Sequence, residues 1–502
     1  MKPVGIVGTG FMGRGIAQVT AQAGFEALLF DARAGAATQA RDAIAAQLGK
    51  LAEKGKLDAA GAEQAIARVK PVDVLAGLAA CGLVVEAIVE DLEAKRDLFH
   101  ALEAIVAPDC LLATNTSSLS VTAIAAACAR PGRVAGLHFF SPVPLMKIVE
   151  VIDGVRTEPG VIAQLVDFAE RLGHLPVRAK DTPGFLVNHA GRGYGTEALR
   201  ILSEGVANHE TVDDILRDAA GFKLGPFELL DLTGLDVSQP VMESIYRQFY
   251  DEPRFRPTPL LAQRRAAGLL GRKSGEGFYR YADGKRVAPP ASPARRAAPL
   301  PARIWISARD PEARARVASL LQGAGASIDG GETPHDDALC VVLPWAEDAT
   351  TAAVSAGLDP ARTVALDAQF GLATRRTLMT TPVTAPEWRD AAASLFGAGG
   401  VPVSVIRDSM GFVAPRVVCH IVNVACDIAQ QRIATPEDID RAVMLGLGYR
   451  QGPLAMGDAL GAAKVLELLE GLLAFYGDPR YRPSPWLKRR ALLGVLLTTP
   501  ED

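Results

Sequence analysis

The chain carries the same helical pattern twice, and this repeat constrains its fold more than any other feature of its 502 residues. Asp-Thr-Pro-Gly-Phe at 181–185 returns as Asp-Ser-Met-Gly-Phe at 408–412, a shift of 227 positions. At a shift one residue shorter, Phe-Tyr-Asp-Glu-Pro-Arg-Phe-Arg-Pro at 249–257 matches Phe-Tyr-Gly-Asp-Pro-Arg-Tyr-Arg-Pro at 475–483. Agreement over so many unlike residues indicates that a helical module has been duplicated.

Each copy of the helical module follows a segment of alternating strand and helix patterns. Before the first copy, short apolar runs alternate with long Ala-rich segments, which predicts a parallel, doubly wound α/β domain. Before the second copy the α/β pattern is shorter. Between the two modules Pro, Ala and Arg dominate, and since Pro fixes φ and lacks an amide donor, this stretch predicts an exposed, semi-stiff linker. The strands predicted for the two α/β segments are Val4–Val7, Ala27–Phe30, Leu83–Ala87, Leu111–Thr114, Val134–Phe139, Ile304–Ser307, Leu339–Leu343 and Thr363–Leu366.

Composition excludes several classes of protein. Lys+Arg 53 against Asp+Glu 57 leaves a net charge of −4, whereas nucleic-acid or anionic-membrane partners call for a basic excess. No stretch approaches the roughly 18 apolar residues of a membrane span, and an apolar strand follows Met1 too closely to leave room for a signal peptide. The six cysteines are scattered without CxxC spacing, so neither a zinc site nor a disulfide framework is predicted. We therefore expect a cytoplasmic protein without a bound metal.

A glycine-rich hexapeptide lies between the first strand and the first helical pattern. The GxGxxG spacing alone is a weak signal, but here it follows Val4–Val7 and opens the helical run Arg14–Ala23, which is the context it requires. The first glycine permits a tight turn, the second admits a pyrophosphate, and the third allows close helix–strand packing. The helix N-terminus then offers free amides to phosphates. The pattern predicts a Rossmann-type dinucleotide site at Gly8, Thr9, Gly10, Phe11, Met12 and Gly13.

An acidic residue ends the second predicted strand. Asp31 lies 21 positions beyond the middle glycine, where a carboxylate accepts hydrogen bonds from the ribose hydroxyls and repels a 2′-phosphate. NAD is therefore favoured over NADP as the cofactor, although the nearby Arg33 weakens this preference. The alternative is an ordinary glycine turn beside a surface aspartate.

Six further segments carry a shared signature: Leu83–Lys95, Thr114–Leu119, His138–Pro144, Met146–Glu150, Asp181–Asn188 and Gly271–Tyr279. Taken together, they resemble one family, the 3-hydroxyacyl-CoA dehydrogenases. The resemblance covers residues 1–282 strongly, and the duplicated tail is similar to the long bacterial members of the family. It implies NAD-dependent oxidation of short-chain (S)-3-hydroxyacyl-CoA to 3-oxoacyl-CoA in fatty acid metabolism, of the 3-hydroxybutyryl-CoA or 3-hydroxyadipyl-CoA type.

One histidine and one glutamate suit this chemistry. Oxidising a secondary alcohol requires a base for the hydroxyl proton, and imidazole titrates near neutrality. A carboxylate partner fixes its tautomer and stabilises the imidazolium. His138 ends an apolar strand and Glu150 lies 12 positions later in the run Ile148–Ile152, so a turn containing Pro142 and Pro144 could bring them side by side. The family assigns this pair to catalysis, although a histidine on an apolar strand is more commonly a core residue.

The resemblance also implies contacts with substrate and cofactor. Ser117 and Asn188 would orient the 3-oxygen and the thioester carbonyl, against alternative roles as a helix cap and a turn residue. Glu90, Lys95 and Asn115 match positions that line the cofactor.

Three more positions follow from the same resemblance. Ser141 stands where many relatives have an asparagine that contacts the cofactor, and a shorter side chain there could act through water. Lys54, with Lys50 on the same helical face, matches a lysine near coenzyme A; a solvated face is the alternative.

The second module lacks this constellation. Pro415 stands at the position of Asn188, the segment Arg303–Asp310 replaces the glycine loop, and Thr377–Pro382 stands where a His-Phe-Phe segment would follow. We predict one active site per chain, with the second helical copy packed on the first as an internal dimer partner; a homodimer of whole chains is also left open. The predicted parts are a Rossmann-type NAD-binding domain (1–180), an all-α helical domain (181–282), the linker (283–302), a degenerate α/β domain (303–407) and the second helical copy (408–502).

Two other functions are weighed against this one. A β-hydroxyacid dehydrogenase with a catalytic lysine in its helical domain is disfavoured, because Lys180 lies outside the helix. A non-catalytic nucleotide-binding protein of the same fold remains the alternative from another class. The acyl group is expected in the cleft between the first two domains, and Arg192 and Arg200 are candidates to meet a terminal carboxylate of the substrate.

Overall fold

The computed structural model describes residues 2–288, 299–323 and 325–501. Its first sheet has the strand order β3-β2-β1-β4-β5-β6-β7-β8, parallel from β3 to β6, with β7 antiparallel to β6 and parallel to β8. The predicted strands are confirmed to within one residue, whereas β3 and β8 were not foreseen. The strands are β1 (Val4–Val7), β2 (Ala27–Phe30), β3 (Val69–Pro71), β4 (Leu83–Glu86), β5 (Leu111–Thr114), β6 (Val134–Phe139), β7 (Ile148–Asp153) and β8 (Leu175–Lys180).

Helices cover both faces of this sheet, which confirms the doubly wound Rossmann-type fold. Ile16, Ile44 and Leu165 belong to one apolar core beneath the sheet, while Phe99 and Ile124 belong to the core on the opposite face. Because the central strands are buried on both faces, their sequences are nearly continuous runs of apolar residues. The helices are α1 (Phe11–Gln22), α2 (Ala36–Glu53), α3 (Ala59–Arg68), α4 (Leu92–Ile105), α5 (Val121–Ala125) and α6 (Pro159–Arg171).

The first helical copy follows and closes with a short hairpin. Its last strands pair antiparallel, at Lys285 with Ala282 and at Arg286 with Tyr281. The elements are α7 (Val187–Ala190), α8 (Arg192–Ser203), α9 (His209–Asp218), α10 (Pro226–Thr233), α11 (Leu235–Gln248), α12 (Pro259–Ala266), β9 (Tyr281–Ala282) and β10 (Lys285–Arg286).

The second module repeats this plan with a smaller sheet, of order β12-β11-β13-β14-β15-β16. Its last three strands keep the arrangement of β6, β7 and β8, one antiparallel pair followed by one parallel pair. The α/β elements are β11 (Arg303–Ile306), α13 (Pro311–Gly323), β12 (Ile328–Asp329), β13 (Ala338–Val342), α14 (Ala349–Ser355), β14 (Thr363–Leu366), β15 (Arg376–Thr380), α15 (Pro386–Phe396) and β16 (Val403–Ile406). The helices of the second copy are α16 (Ala414–Gln430), α17 (Pro436–Gly446), α18 (Pro453–Leu460), α19 (Ala462–Tyr476) and α20 (Pro485–Leu493).

The two helical copies pack on each other. Helix α8 lies against α16, and Gly193 allows the approach, since a Cβ there would lie 3.2 Å from Cα of Ile421. The repeated Pro-Arg-aromatic segments also meet: Arg254 donates to the carbonyl of Arg482 (2.8 Å), and Arg480 donates to that of Pro253 (3.4 Å). The second copy is therefore an internal partner of the first.

The compact units differ from the predicted domain boundaries. The unit with the first sheet runs to His189 and also takes in Gln431–Gly448, while the second unit holds Ala190–Gln430 and the chain from Tyr449 onward. The reason lies in local contacts: α17 packs on β7 and β8, and Lys180 donates its amide to the carbonyl of Ile433 (3.0 Å). One helix of the second copy thus belongs with the first sheet.

The predicted linker also begins too early. Residues 289–298 lie outside the described residues, but Arg286, which falls within the predicted linker, belongs to β10 and has several partners. Its guanidinium lies over the ring of Tyr279 (3.7 Å) and pairs with Glu228 (2.9 Å) and Glu210 (3.2 Å). Within the described part of the chain, every helix is too short or too polar to cross a bilayer.

Candidate active site

The carboxyl ends of the first sheet's parallel strands gather the predicted residues at one edge. Gly8 follows β1, Asp31 follows β2, Asn115 follows β5, and His138 is the penultimate residue of β6. In open α/β sheets this edge is where ligands bind. The sequence-predicted cofactor and proton-transfer groups therefore lie on the side of the sheet where a dinucleotide would sit.

The glycine loop leaves room where a phosphate would lie. Gly8 has φ +91°, and a Cβ there would lie 2.5 Å from the carbonyl oxygen of Ala87. A Cβ on Gly13 would lie 1.9 Å from the carbonyl oxygen of Gly8, whereas a Cβ on Gly10 would meet nothing within 4 Å. Gly10 also brings no side chain to the N-terminus of α1, whose first turn has no acidic residue. The open space and the free amides fit a pyrophosphate.

Asp31 is held as a carboxylate beside this loop. Its Oδ2 accepts the amide (2.9 Å) and hydroxyl (2.7 Å) of Thr9, and its Oδ1 accepts the amide of Arg33 (3.0 Å). Partial burial favours the neutral acid, but these hydrogen bonds and the charge of Arg33 outweigh it and hold the pKa of Asp31 below its ordinary value. A charged acceptor at the end of β2 fits the ribose of NAD.

His138 and Glu150 face each other across the antiparallel pair β6 and β7. Nδ1 of His138 lies 2.5 Å from Oε2 of Glu150, and the side chains are 7% and 0% exposed. A buried carboxylate at Nδ1 selects the tautomer with its proton on that nitrogen, which leaves Nε2 to exchange protons. The rings of Phe140 and Phe185 lie 4.5 and 6.0 Å from the imidazole.

The second oxygen of Glu150 is held by backbone amides. Leu186 and Val187 donate to Oε1 at 3.0 and 2.8 Å. Sequence reasoning missed these donors because they are backbone groups, although the positive φ of Gly184 and Phe185 marks the turn that presents them. With both oxygens bound, the carboxylate is fixed in orientation.

Ser117 and Asn188 come together beside this pair. Nδ2 of Asn188 donates to the carbonyl of Ser117 (3.3 Å). Oε1 of Glu90 accepts from the amide of Ser117 (2.9 Å), the hydroxyl of Thr116 (2.7 Å) and the amide of Ser118 (3.2 Å), so this glutamate holds the whole loop. Burial raises the pKa of Glu90, but the charge of Lys95 and these hydrogen bonds bring it below its ordinary value.

Lys95, predicted to line the cofactor, is enclosed by two carboxylates. Its side chain is 1% exposed, and its ammonium lies between Glu86 (2.6 Å) and Glu90 (3.2 Å). Glu86 was missed, although an acid at the end of a buried strand requires a cation. Asn115 likewise uses Oδ1 internally, to accept the amide of Phe139 (2.8 Å).

The remaining predicted residues are exposed to solvent or belong to the glycine loop between β1 and α1. Ser141 is exposed two residues after the end of β6, and Lys50 and Lys54 are exposed at the C-terminal end of α2. Thr9 is buried under Asp31. Phe11 is exposed and Met12 half-buried in the first turn of α1.

The two arginine candidates for a substrate carboxylate have the following surroundings in the helical unit. Arg200 pairs with Glu204 (2.8 Å) and Asp478 (3.6 Å), so it takes part in the contact between the helical copies. Arg192 is half-buried, and desolvation lowers its pKa to about 10 despite the nearby Tyr449.

The second sheet keeps the strand arrangement around the His138–Glu150 pair but has different residues there. Thr377 on β15 pairs with Ser404 on β16 in the same register in which Glu150 on β7 pairs with Val177 on β8. On the other side of β15, Asp367 donates its amide to the carbonyl of Thr377 (3.0 Å). An aspartate and a threonine thus replace the histidine and the glutamate. Oδ2 of Asp367 and Oγ1 of Thr377 are buried and have no hydrogen-bond partner among the described residues.

Between β11 and α13, all of whose connecting residues are described, a different segment replaces the nucleotide loop. Asp310 caps α13 by accepting the amide of Ala313 (2.9 Å), so a carboxylate stands where phosphates would need free amides. Pro415, at the place of Asn188, lies in the first turn of α16. These contacts support the prediction of a single active site per chain.

Family models match most of the chain. The model described as 3-hydroxyacyl-CoA dehydrogenase, NAD binding domain, matches residues 3–182. The model described as 3-hydroxyacyl-CoA dehydrogenase, C-terminal domain, matches twice, at 184–281 and 411–499. The two C-terminal matches coincide with the two helical copies.

Individual relatives agree with these models. The chain is 39% identical over 497 residues to 3-hydroxyadipyl-CoA dehydrogenase of Escherichia coli (strain K12), covering 98% of both chains. It is 44% identical over 277 residues to a probable 3-hydroxybutyryl-CoA dehydrogenase of Deinococcus radiodurans, covering 55% of this chain and 99% of the relative. A crystal structure of 3-hydroxybutyryl-CoA dehydrogenase from Escherichia coli K12 matches with a TM-score of 0.84 and 38% identity, over 98% of both chains.

Proposed function

Because the chain belongs to the 3-hydroxyacyl-CoA dehydrogenase family, we propose that it oxidises short-chain (S)-3-hydroxyacyl-CoA esters to 3-oxoacyl-CoA, with NAD as cofactor and His138 as the base. The observation that carries the assignment of the base is the contact of Nδ1 with Glu150 at 2.5 Å, at the carboxyl edge of a sheet that carries a dinucleotide loop. The alternative, a non-catalytic nucleotide-binding protein, gains no support from relatives named as dehydrogenases.

The cofactor would be held by the loop Gly8–Gly13 and by Asp31. The amides at the start of α1 suit the pyrophosphate, and the Asp31 carboxylate suits the ribose hydroxyls. When bound, NAD supplies the acceptor for the hydride that leaves the 3-carbon of the substrate. Ser141, exposed after β6, offers a hydroxyl to the cofactor.

The proton follows a separate route through the imidazole. As hydride leaves carbon, Nε2 of His138 takes the proton of the 3-hydroxyl group, while Nδ1 keeps its own proton toward Glu150. The carboxylate stabilises the imidazolium that forms, and its amide donors Leu186 and Val187 keep it in place. In the reverse direction the same nitrogen returns the proton to the alkoxide.

Neutral groups would orient the substrate without competing for that proton. Ser117 and Asn188 lie together and can donate to the 3-oxygen and the thioester carbonyl. The exposed ammonium groups of Lys50 and Lys54 suit the phosphates of coenzyme A.

The test is NADH oxidation, followed by absorbance, on addition of acetoacetyl-CoA. The wild-type chain should consume NADH, and His138→Gln should lower kcat by about 10²- to 10⁴-fold, the usual contribution of a general acid–base. The matched control His100→Gln, at an exposed position on α4, should retain wild-type turnover. A wild-type protein that binds NADH without oxidising it would instead favour the non-catalytic alternative.

The acyl group is proposed to be short, of the 3-hydroxybutyryl or 3-hydroxyadipyl type. These are the two substrates in the names of the relatives that cover almost the whole chain. Comparing kcat/KM for 3-hydroxybutyryl-CoA and 3-hydroxyadipyl-CoA decides between them, and a preference for long acyl chains over both would contradict the proposal.

We also propose a cytoplasmic location and an assembly in which the internal pairing replaces a dimer contact. Six buried cysteines without disulfides suit a reducing compartment. Since α8 already packs on α16, a homodimer of whole chains would need another face of the molecule. Light scattering of the purified protein distinguishes one chain from two.

A further inference from the structure

The carboxylate of Asp181 closes the N-terminus of α5. Its Oδ2 accepts the hydroxyl of Ser120 (2.8 Å) and the amide of Thr122 (2.7 Å), and its Oδ1 accepts the amide of Val121 (3.0 Å). Ser120 in turn caps the helix by accepting the amide of Ala123 (3.1 Å). Three donors on one carboxylate bind the end of β8 to the start of α5.

Both segments joined by Asp181 lead directly into the active site. Ser117 lies three residues before Ser120, on the loop between β5 and α5. Asp181 itself opens the turn whose amides at Leu186 and Val187 hold Glu150. One residue further, Asn188 donates to the carbonyl of Ser117, so the two segments are tied at both ends.

The second module repeats this contact without an active site. Asp408 accepts the amides of Ala349 (2.8 Å) and Thr350 (3.1 Å) and the hydroxyl of Thr350, at the N-terminus of α14. Yet Asp367 and Thr377 stand there in place of the catalytic pair. The contact therefore persists where the histidine and the glutamate are replaced, which separates its role from acid–base chemistry.

We propose that Asp181 is a positioning residue that aligns Ser117 and Asn188 with His138, and that Asp408 makes the same contact for stability alone. This inference rests on the proposed function. In the first module the bond network of Asp181 sets the spacing between the two substrate-orienting groups. In the second module the same network only joins a strand to a helix.

The physical consequence of Asp181→Asn follows from its partners. An asparagine retains one acceptor oxygen, while its amide group would point N–H donors at the N–H and O–H donors of α5. One end of the turn would then shift relative to the Ser117 loop. Displacements of about 1 Å remote from the reacting atoms can cost on the order of 10²-fold in rate.

The experiment compares Asp181→Asn with its internal counterpart Asp408→Asn in the acetoacetyl-CoA assay. Asp181→Asn should lower kcat/KM for acetoacetyl-CoA by about 10- to 100-fold, with the Kd for NADH unchanged, since the glycine loop and Asp31 lie on other strands. Asp408→Asn should lower Tm and leave kcat/KM at the wild-type value.

Three outcomes would contradict either the proposed function or the positioning role of Asp181, and the measurements tell these two failures apart. An inactive wild type contradicts the proposed function itself. An active wild type with a folded Asp181→Asn variant of unchanged kcat/KM contradicts the positioning role. If Asp181→Asn does not fold, Ser120→Ala decides: loss of one of the three donors should lower kcat/KM several-fold without changing the Kd for NADH, and an unchanged kcat/KM overturns the inference.

Discussion

Glu197 of the first helical copy and Arg416 of the second form an ion pair that is completely buried. Oε1 of Glu197 lies 2.5 Å from Nε of Arg416 and accepts the hydroxyl of Tyr481 (2.8 Å), while Oε2 lies 3.2 Å from Arg480. One carboxylate thus compensates two guanidinium groups inside the contact between the copies. The internal partner is therefore held by charge as well as by apolar packing.

Glu197→Gln should destabilise the protein by about 3–5 kcal/mol, because it removes the fully buried carboxylate that Arg416 and Arg480 share. The carboxylates that they keep, Glu204 and Asp478, are 23% and 10% exposed and compensate buried charge less well. The free energy of unfolding in urea measures the loss. Glu467→Gln, at an exposed position on α19, is the matched control and should stay within about 0.5 kcal/mol of wild type. Equal stabilities of the two variants would contradict the prediction.

The same carboxylate should make the wild type sensitive to acid. Burial favours its neutral form, but the charges of Arg416 and Arg480 prevail and lower the pKa of Glu197 to about 2. The stabilisation is complete above the ordinary value of 4.5 and is lost as pH falls from there through about 2. The difference in Tm between wild type and Glu197→Gln should be constant above pH 5 and shrink below it. A difference that grows in acid would refute this assignment.

Asp367→Asn should stabilise the protein at alkaline pH. Burial raises the pKa of Asp367 to about 7, against opposing hydrogen bonds from the amides of Phe370 and Gln369. A raised pKa means that stability is greatest below 3.8 and falls as pH rises through about 7. The variant, which stays neutral, should therefore have a higher Tm than wild type at pH 8 and a similar Tm at pH 4.

Asp336→Asn is the control for this experiment, because Asp336 is exposed in the same domain. It should leave the pH dependence of Tm unchanged. Parallel Tm curves for wild type and Asp367→Asn between pH 4 and 8 would show that Asp367 does not titrate in this range.

Glu150→Gln should lower kcat by about 10²- to 10⁴-fold. A glutamine can still accept the amides of Leu186 and Val187, but its own N–H group then faces Nδ1 of His138. The imidazole would carry its proton on Nε2 and could no longer accept one from the substrate. Stopped-flow reduction of acetoacetyl-CoA by NADH measures the step, with Glu63→Gln on α3 as an exposed control. Turnover near that of the control would remove the carboxylate from the mechanism.

Gly10→Ala and Gly13→Ala should separate cofactor binding from folding. A Cβ at Gly10 meets nothing within 4 Å, so Gly10→Ala should keep the wild-type Tm while its methyl group obstructs the pyrophosphate and raises the Kd for NADH about tenfold or more. A Cβ at Gly13 would lie 1.9 Å from the carbonyl oxygen of Gly8, so Gly13→Ala should lower Tm. Fluorescence titration and thermal unfolding provide the two measurements, and the reverse order of effects would contradict the assigned roles.

The sequence predicted the contact between His138 and Glu150 because the pattern that indicates it is local. His138 and Glu150 lie on consecutive strands, and the register of an antiparallel pair follows from the turn that joins them. The glycine loop and Asp31 likewise sit at fixed distances from one βαβ unit. Periodicity within a short segment is sufficient for such features.

Other contacts depended on groups that are distant in sequence. Neither the enclosure of Lys95 by Glu86 and Glu90 nor the pairing of Arg286 with Glu228 could be read from spacing. Side-chain type alone does not tell whether a charged group meets solvent, a ligand or an opposite charge in the interior.

The amino-acid sequence by itself determined the duplicated plan, the nucleotide loop and the pairing of His138 with Glu150, since each is encoded in residues that are close along the chain or at a fixed repeat. Only the tertiary structure decided that Glu197 and Arg416 meet, that α17 packs with the first sheet, and that Asp181 and Asp408 make the same contact in modules of different function. These depend on how whole elements pack, and packing is set by the combined shape and burial of many side chains rather than by any one pattern.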